Sequence, residues 1–242
     1  MTEIFAGDTR NTGLHYGSRL QFAKDGTLYA TVGEGFAFMD LAQDPKTTHG
    51  TVIRINADGS IPADNPFADG TVGHPAVWSY GHRNSQGLFY DAGTDTLYET
   101  EHGPKGGDEL NIISKGANYG WPKITYGVNY DGTIITNQTE AEGMENPLTY
   151  WVPSIAPSGL TQLTSDIYPG WKGDLFTGGM NGPAGLKLVR IDMEDGIVVG
   201  REDLLTGDEE GYPIRDVTQG PDGHLYVATR NMDGIYRLDI AE

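Results

Sequence analysis

The stretch "SRLQFAKDGTLYATVGEG", residues 18–35, reads as two short apolar strands joined at Asp25-Gly26. Glycine tolerates the positive φ that a tight turn requires, so Asp-Gly between two apolar runs is a strong hairpin signal. Leu28, Ala30 and Val32 alternate with period two, the pattern of a strand half buried between layers. The unit returns in "QGLFYDAGTDTLYETEHG" (86–103) and "IRDVTQGPDGHLYVATRN" (214–231), with a looser copy in "SGLTQLTSDIYPGWKGDLFTGGM" (158–180). The three close copies share an apolar strand, a Gly/Asp turn, and a second strand built on Leu-Tyr and a threonine. Asp222-Gly223 and Asp233-Gly234 supply further turns.

Another strand follows each hairpin: "GTVIRIN" (50–56), "DELNIIS" (108–114), "LKLVRIDM" (186–193) and "GIYRLDI" (234–240). The unit is therefore about four strands, repeated at roughly 55 to 75 residues, which predicts an all-β fold, a β-propeller of four-stranded blades. A β-sandwich also has regular short strands but does not call for four internally similar hairpins. The 35 glycines and 13 prolines make turns dense and long helices improbable. Residues 124–149 are polar without clear periodicity and read as a long excursion between blades, inside a single propeller domain over 1–242.

A net charge of -18 and a pI near 4.5 give a surface that repels phosphate backbones and anionic lipid. Nucleic acid and membrane partners are excluded on that ground, whereas a cation such as calcium suits it. Cysteine is absent, which removes disulfides and thiolate metal sites. "MTEIFAGDTR" has neither the basic nor the apolar region of a secretory signal, and no apolar run reaches the length of a membrane span. The chain lacks HExxH, a P-loop and GxGxxG, so zinc-hydrolase and nucleotide chemistry have no motif here.

The loops bearing His15, Glu34, Arg83, His102 and Arg215 occupy corresponding places around the repeats, where a propeller collects its site. Histidine titrates near neutrality, so His15 suits proton abstraction, although a turn histidine reads the same way. Glu34 orients and charge-stabilises His15 from across the hairpin, or is a solvated strand-end carboxylate. Arg83 offers a cation for developing negative charge, or an inter-blade ion pair. Gly103 and Pro104 present backbone oxygens that calcium accepts, or form an ordinary turn. Glu109, in the acidic "GGDEL", binds metal or faces water. His49, His74 and His224 show no partner spacing and read as surface residues.

"SYGHRNSQGL" (79–88), "ETEHGPKGGDELNIISKGANYGWP" (99–122), "YWVPSIAPSG" (150–159) and "IRDVTQGPDGHLY" (214–226), in this order, resemble the soluble quinoprotein glucose/sorbosone dehydrogenases, the aldose dehydrogenase branch most closely. The resemblance implies a six-bladed propeller binding pyrroloquinoline quinone and calcium, of which about four to five blades fall in this chain; the family's N-terminal blades, before His15, are missing. It implies oxidation of the C1 hydroxyl of aldoses to lactones, with electrons passed to an external acceptor. It makes His15, in "H-x-G-x-R-L", the general base, with Glu34 where the family usually has aspartate. It puts Arg83 at the quinone end of the cofactor, with Asn84, His102, Ser154 and Asn181 as further ligands and Arg215 on the cofactor's carboxylates. The carbonyls of Gly103 and Pro104 would hold the catalytic calcium, and a structural calcium is expected near Glu109 and Tyr119. It also implies a periplasmic or extracellular setting and is compatible with a homodimer. Two positions depart from the pattern: Pro213 stands where a second arginine is common, and Asn181 takes the place of a cofactor-pairing lysine, with Lys187 a weaker substitute. These losses favour a competing reading, a calcium-binding propeller that holds a carbohydrate or other ligand without oxidising it. A calcium-dependent lactone hydrolase, the third reading, lacks a visible acidic metal cage.

Overall fold

The structure is a computed structural model that describes residues 1–181, 185–206, 212–230 and 234–240. Among these described residues, fifteen strands form four antiparallel sheets, each built in chain order. The first holds β1 (Leu20–Phe22), β2 (Leu28–Val32), β3 (Thr51–Ile55) and β4 (Val77–Tyr80). The second holds β5 (Ser85–Asp91), β6 (Thr96–Glu101), β7 (Asp108–Ile112) and β8 (Thr149–Trp151). The third holds β9 (Pro157–Gln162), β10 (Leu175–Gly179), β11 (Leu188–Glu194) and β12 (Ile197–Leu204). The fourth holds β13 (Ile214–Gln219), β14 (Leu225–Thr229) and β15 (Ile235–Arg237). The leading strands pack in sequence, β1 on β5, β5 on β9 and β9 on β13, so the sheets follow one another as propeller blades.

The quoted hairpin forms as the sequence dictates. Leu20 pairs Ala30 and Phe22 pairs Leu28, and Gly26 closes the turn at φ +84. Gly223 does the same between β13 and β14 at φ +85, while Asp233 of the last expected turn lies outside the described residues. The core is not one interior but three layers between successive sheets. Tyr29, Val52, Leu88 and Tyr90 fill the first gap; Tyr98, Leu110, Leu160 and Val189 the second; Phe176, Leu188, Ile214 and Val217 the third. Phe176 is fully buried, worth about 1.5–3 kcal/mol relative to exposure.

The first sheet corrects one expectation. Its better-buried face carries Tyr29 and Thr31, not Ala30 and Val32, because that face packs on the second sheet. The face shared by Leu20, Phe22, Leu28 and Ala30 has only a small cluster with Ile53, Ile55 and Phe5 against it. Leu20 remains 66% and Phe22 56% exposed.

Arg19 crosses the centre of this arrangement. Its Nη1 pairs with Asp216 (3.0 Å), Nη2 donates to the Arg215 carbonyl (3.1 Å) and Nε to the Gln86 carbonyl (2.5 Å). One guanidinium thus ties the first, second and fourth sheets together. Residues 113–148 contain two isolated bridges, Tyr80↔Asn118 and Lys105↔Val128, and no strand. Among the described residues no helix is long and apolar enough to cross a membrane.

Candidate active site

The loops that follow the inner strands are laced together by backbone. Glu34 N–H donates to the Arg83 carbonyl (2.9 Å), Gly35 N–H to the His15 carbonyl (3.1 Å), and His102 N–H to the Asn84 carbonyl (3.0 Å). Asn84 Oδ1 accepts from Gly17 N–H at 3.2 Å. Gly33 is required here: a Cβ at that position would lie 2.3 Å from the His15 carbonyl oxygen. Residues far apart in sequence, 15–17, 33–35, 83–84 and 102–103, therefore meet in one belt.

His15 Nδ1 lies 2.8 Å from Glu34 Oε1, and Glu34 is 1% exposed. A carboxylate has no proton to donate, so the contact puts the imidazole proton on Nδ1 and leaves Nε2 as an acceptor. The extra methylene of glutamate does not spoil this aim. Glu34 Oε2 is buried without a partner, and the His15 ring meets Phe36 edge-on at 5.1 Å.

Arg83 is buried and clasps the next loop. Its Nη1 donates to the carbonyls of His102 (2.9 Å) and Gly103 (2.5 Å), and Nη2 to the Tyr130 hydroxyl (3.3 Å). Nε is buried with no partner, and the guanidinium sits over the Trp121 ring at 5.3 Å. The Gly103 oxygen that sequence offers to calcium thus already accepts from Arg83. His102 donates from Nε2 to the Pro157 carbonyl (2.7 Å). Burial above all, then the charge of Arg83, pushes its pKa down to about 4 against the Pro157 bond, so the ring is neutral at pH 7.

A cavity of about 330 Å³ opens beside this belt, walled by His102, Pro104, Ser154, Asn181, Arg215 and, unforeseen, Arg230. Asp108 shapes its wall. The carboxylate accepts from Gly103 N–H (2.9 Å), Ser154 Oγ–H (2.7 Å), Ile155 N–H (2.7 Å) and Ala156 N–H (2.9 Å). It joins the "EHGP" and "VPSIAP" loops, and desolvation raises its pKa against those bonds. Lys187 takes no part and pairs with Asp203 at 2.7 Å.

A second, smaller void adjoins, lined by Arg83, Glu101, Gly103, Glu109 and Tyr119. Behind it lies an acidic cage that sequence did not reveal. Ligand atoms of His82, Glu99 and Glu101, all buried, lie within 4.8 Å of one another. Asn111 Nδ2 donates to Glu99, Glu101 and Glu109. Desolvation first, then the Glu101 charge, raises the pKa of Glu99 and of Glu109 well above the ordinary carboxylate value. The Tyr119 hydroxyl is engaged elsewhere, donating to the Ile112 carbonyl at 2.5 Å, while its ring stacks on His82. His49, read as a surface residue, is buried with both ring nitrogens unpartnered.

The sequence profile of the "Glucose / Sorbosone dehydrogenase" family matches residues 1–237. The chain belongs to the glucose/sorbosone dehydrogenase family. Aldose sugar dehydrogenase of Escherichia coli is 40% identical over 227 residues, covering 93% of this chain and 59% of that one. A crystal structure of a glucose dehydrogenase superposes with a TM-score of 0.92 at 38% identity, over 98% of this chain and 68% of that one. The pyrroloquinoline quinone-bound aldose sugar dehydrogenase of Streptomyces coelicolor gives a TM-score of 0.71 at 33% identity, over 92% and 58%. The chain spans under three fifths of the curated relatives it matches, 58% and 59% of their lengths.

Proposed function

We propose that this chain carries the cofactor and substrate site of a pyrroloquinoline quinone-dependent aldose dehydrogenase that oxidises the C1 hydroxyl of a sugar to a lactone, with calcium as second cofactor. The observation that carries the reading is the union of the His15–Glu34 pair with the Arg83–His102 loop beside a cavity whose described walls hold no carboxylate. The residues fit an acidic, planar cofactor: Arg215 and Arg230 line that cavity, and Arg83, on the smaller adjoining void, donates to the His102 and Gly103 carbonyls of the loop that walls it. The Streptomyces coelicolor relative, described as quinone-bound, supports the same assignment.

The quinone, when bound, supplies the acceptor for the hydride leaving C1. His15 Nε2 takes the hydroxyl proton, and Glu34 holds the ring and balances the imidazolium that forms. Arg83 places positive charge where negative charge grows, in a site shielded from water by Trp121 and Tyr130. His102, Ser154, Asn181 and Arg215 on the cavity wall would hold the cofactor, with Asn84 in the adjoining loop as a further ligand. The carbonyls of Gly103 and Pro104 would bind the catalytic calcium, which requires the Gly103 oxygen to serve the ion as well as Arg83. Glu109, the backbone at Tyr119 and the carboxylates behind them form an oxygen-rich, anionic donor set suited to the structural calcium. The reading calls for an external electron acceptor and a periplasmic or extracellular setting.

The test is to load purified protein with the quinone and calcium and follow aldose-dependent reduction of an artificial electron acceptor. His15→Ala should lower turnover by about 10²–10⁴-fold. Full turnover in that variant refutes the assigned base. Quinone binding without turnover on any aldose replaces the enzyme by a ligand-binding propeller.

A further inference from the structure

Arginine is sparingly left alone in this protein. Acidic side chains outnumber basic ones 34 to 16, and most guanidinium groups find a partner. Arg19, Arg54, Arg190 and Arg237 pair with carboxylates. Arg83 and Arg201 donate to carbonyls, and Arg10 lies over the Tyr16 ring. Arg215 and Arg230 differ: among the described residues neither exposed guanidinium has a hydrogen-bond, ion-pair or ring partner. Both line the 330 Å³ cavity, and none of its described walls is an aspartate or glutamate. Two unpaired cations on the wall of one cavity, in a strongly acidic protein, give that cavity a local field suited to an anion.

The backbone explains how Arg230 comes to be there. β13 and β14 pair in antiparallel register with Ile214 opposite Thr229. One step beyond, Arg230 N–H donates to the Pro213 carbonyl at 3.0 Å, so residues 213 and 230 stand across from one another. Directly opposed residues of an antiparallel pair project to the same face with Cβ atoms about 5 Å apart. An arginine at 230 therefore reaches much the same space as one at 213. Proline at 213 contributes ring surface to the cavity but no charge.

We infer that Arg230 is the second carboxylate anchor of this cavity, a guanidinium moved across the β13–β14 ladder to the strand facing Pro213. The inference rests on the reading that the cavity holds the acidic quinone. It assigns Arg215 and Arg230 jointly to the ligand's carboxylates, and it removes the objection that Pro213 leaves one of them without a cation. Arg230 is a binding residue with no part in proton or hydride transfer.

The experiment is equilibrium titration of the calcium-loaded, quinone-free protein with pyrroloquinoline quinone, followed by absorbance, for the wild type, Arg230→Ala, Arg230→Lys and Arg215→Ala. Losing one charged hydrogen bond should raise the dissociation constant of Arg230→Ala about 10- to 100-fold, comparably to Arg215→Ala. Arg230→Lys keeps the charge without the planar fork and should fall between. The melting temperature of the unliganded Arg230→Ala protein should match the wild type, since the side chain has no structural partner. The trimethyl ester of the quinone should not distinguish wild type from Arg230→Ala. A dissociation constant within twofold of wild type for the free acid, or equal discrimination by the ester, overturns the anchor alone. Failure of the wild type to bind the quinone at all overturns the functional reading and the anchor with it.

Discussion

His102 couples the cavity to the stability of the chain, and the coupling has a definite sign. Burial holds its folded pKa at about 4, whereas an unfolded chain carries histidine at about 6.5. Below pH 6.5 the unfolded state takes up a proton that the folded state refuses, so stability falls as pH drops from 6.5 toward 4. At about 1.4 kcal/mol per pH unit, going from pH 7 to pH 5 costs roughly 2 kcal/mol through this side chain alone. Other groups titrate in the same window, so the measurement is a difference of differences. His102→Gln keeps an N–H for the Pro157 carbonyl and removes the titration. Urea unfolding at pH 7 and pH 5 should move the wild-type midpoint down by about 0.7–1 M more than that of the variant, for a slope of roughly 2–3 kcal/mol per molar. Equal pH sensitivity in the two proteins would show that His102 is not held neutral by burial, and the account of this wall would be wrong.

Three further outcomes are expected. Glu34→Gln, which keeps the size but loses the charge beside His15, should lower turnover of the quinone-loaded protein by about 10²-fold and shift its pH profile, read from kcat against pH; an unchanged profile would detach Glu34 from the base. Calcium should raise the melting temperature, and the gain should grow from pH 5 to pH 8, because the raised pKa values of Glu99 and Glu109 make protons compete with metal. Scanning calorimetry with calcium and with chelator checks this, and Glu109→Gln should flatten the difference. Arg54, 6% exposed, holds Asp25, Asp64, Thr27 and Asn65 together, so Arg54→Ala should cost about 1–3 kcal/mol in urea unfolding. Part of that should vanish near pH 2, where Asp25, held down at about 2 by Thr27 and Arg54 against desolvation, begins to protonate.

The hairpins were legible because their turns need Gly26 and Gly223 at positive φ and their strands carry Leu-Tyr pairs. The outermost strands were not. β8 is three residues long, and β12 lies at a sheet edge with most of its side chains partly or fully exposed, so neither shows an apolar period. Glu99 and Glu101 went unread for the opposite reason. In "TLYETE" a carboxylate at every second place suggests a solvent face, but a blade between two blades has none, and that face of β6 is buried. The motif loops supplied His102, Gly103, Pro104, Ser154, Asn181 and Arg215 of the cavity wall, while Tyr130, Ala156 and Met180 were not singled out. Arg230 escaped because its significance depends on a cross-strand neighbour, Pro213, seventeen places back.

Backbone strain is gathered where the chemistry is placed. Among the described residues seven that are not glycine have positive φ; three belong to the candidate site, His15 (φ 55), Phe36 (φ 64) and Ala156 (φ 50), and Ser18 (φ 81) adjoins it. Such a conformation costs about 1–2 kcal/mol each and persists only where neighbours over-determine it. Those neighbours are identifiable. Ser18 N–H donates to the Thr31 carbonyl (2.8 Å), Thr12 Oγ1–H to the Gly35 carbonyl (2.7 Å), and Ala156 N–H to Asp108. Gly35 N–H on the His15 carbonyl (3.1 Å) ties down the backbone at φ 55, and the buried Glu34 fixes the ring. In the proposed reaction an imidazole held in this way presents Nε2 in a fixed direction before substrate binds, and the cost of ordering it is met during folding.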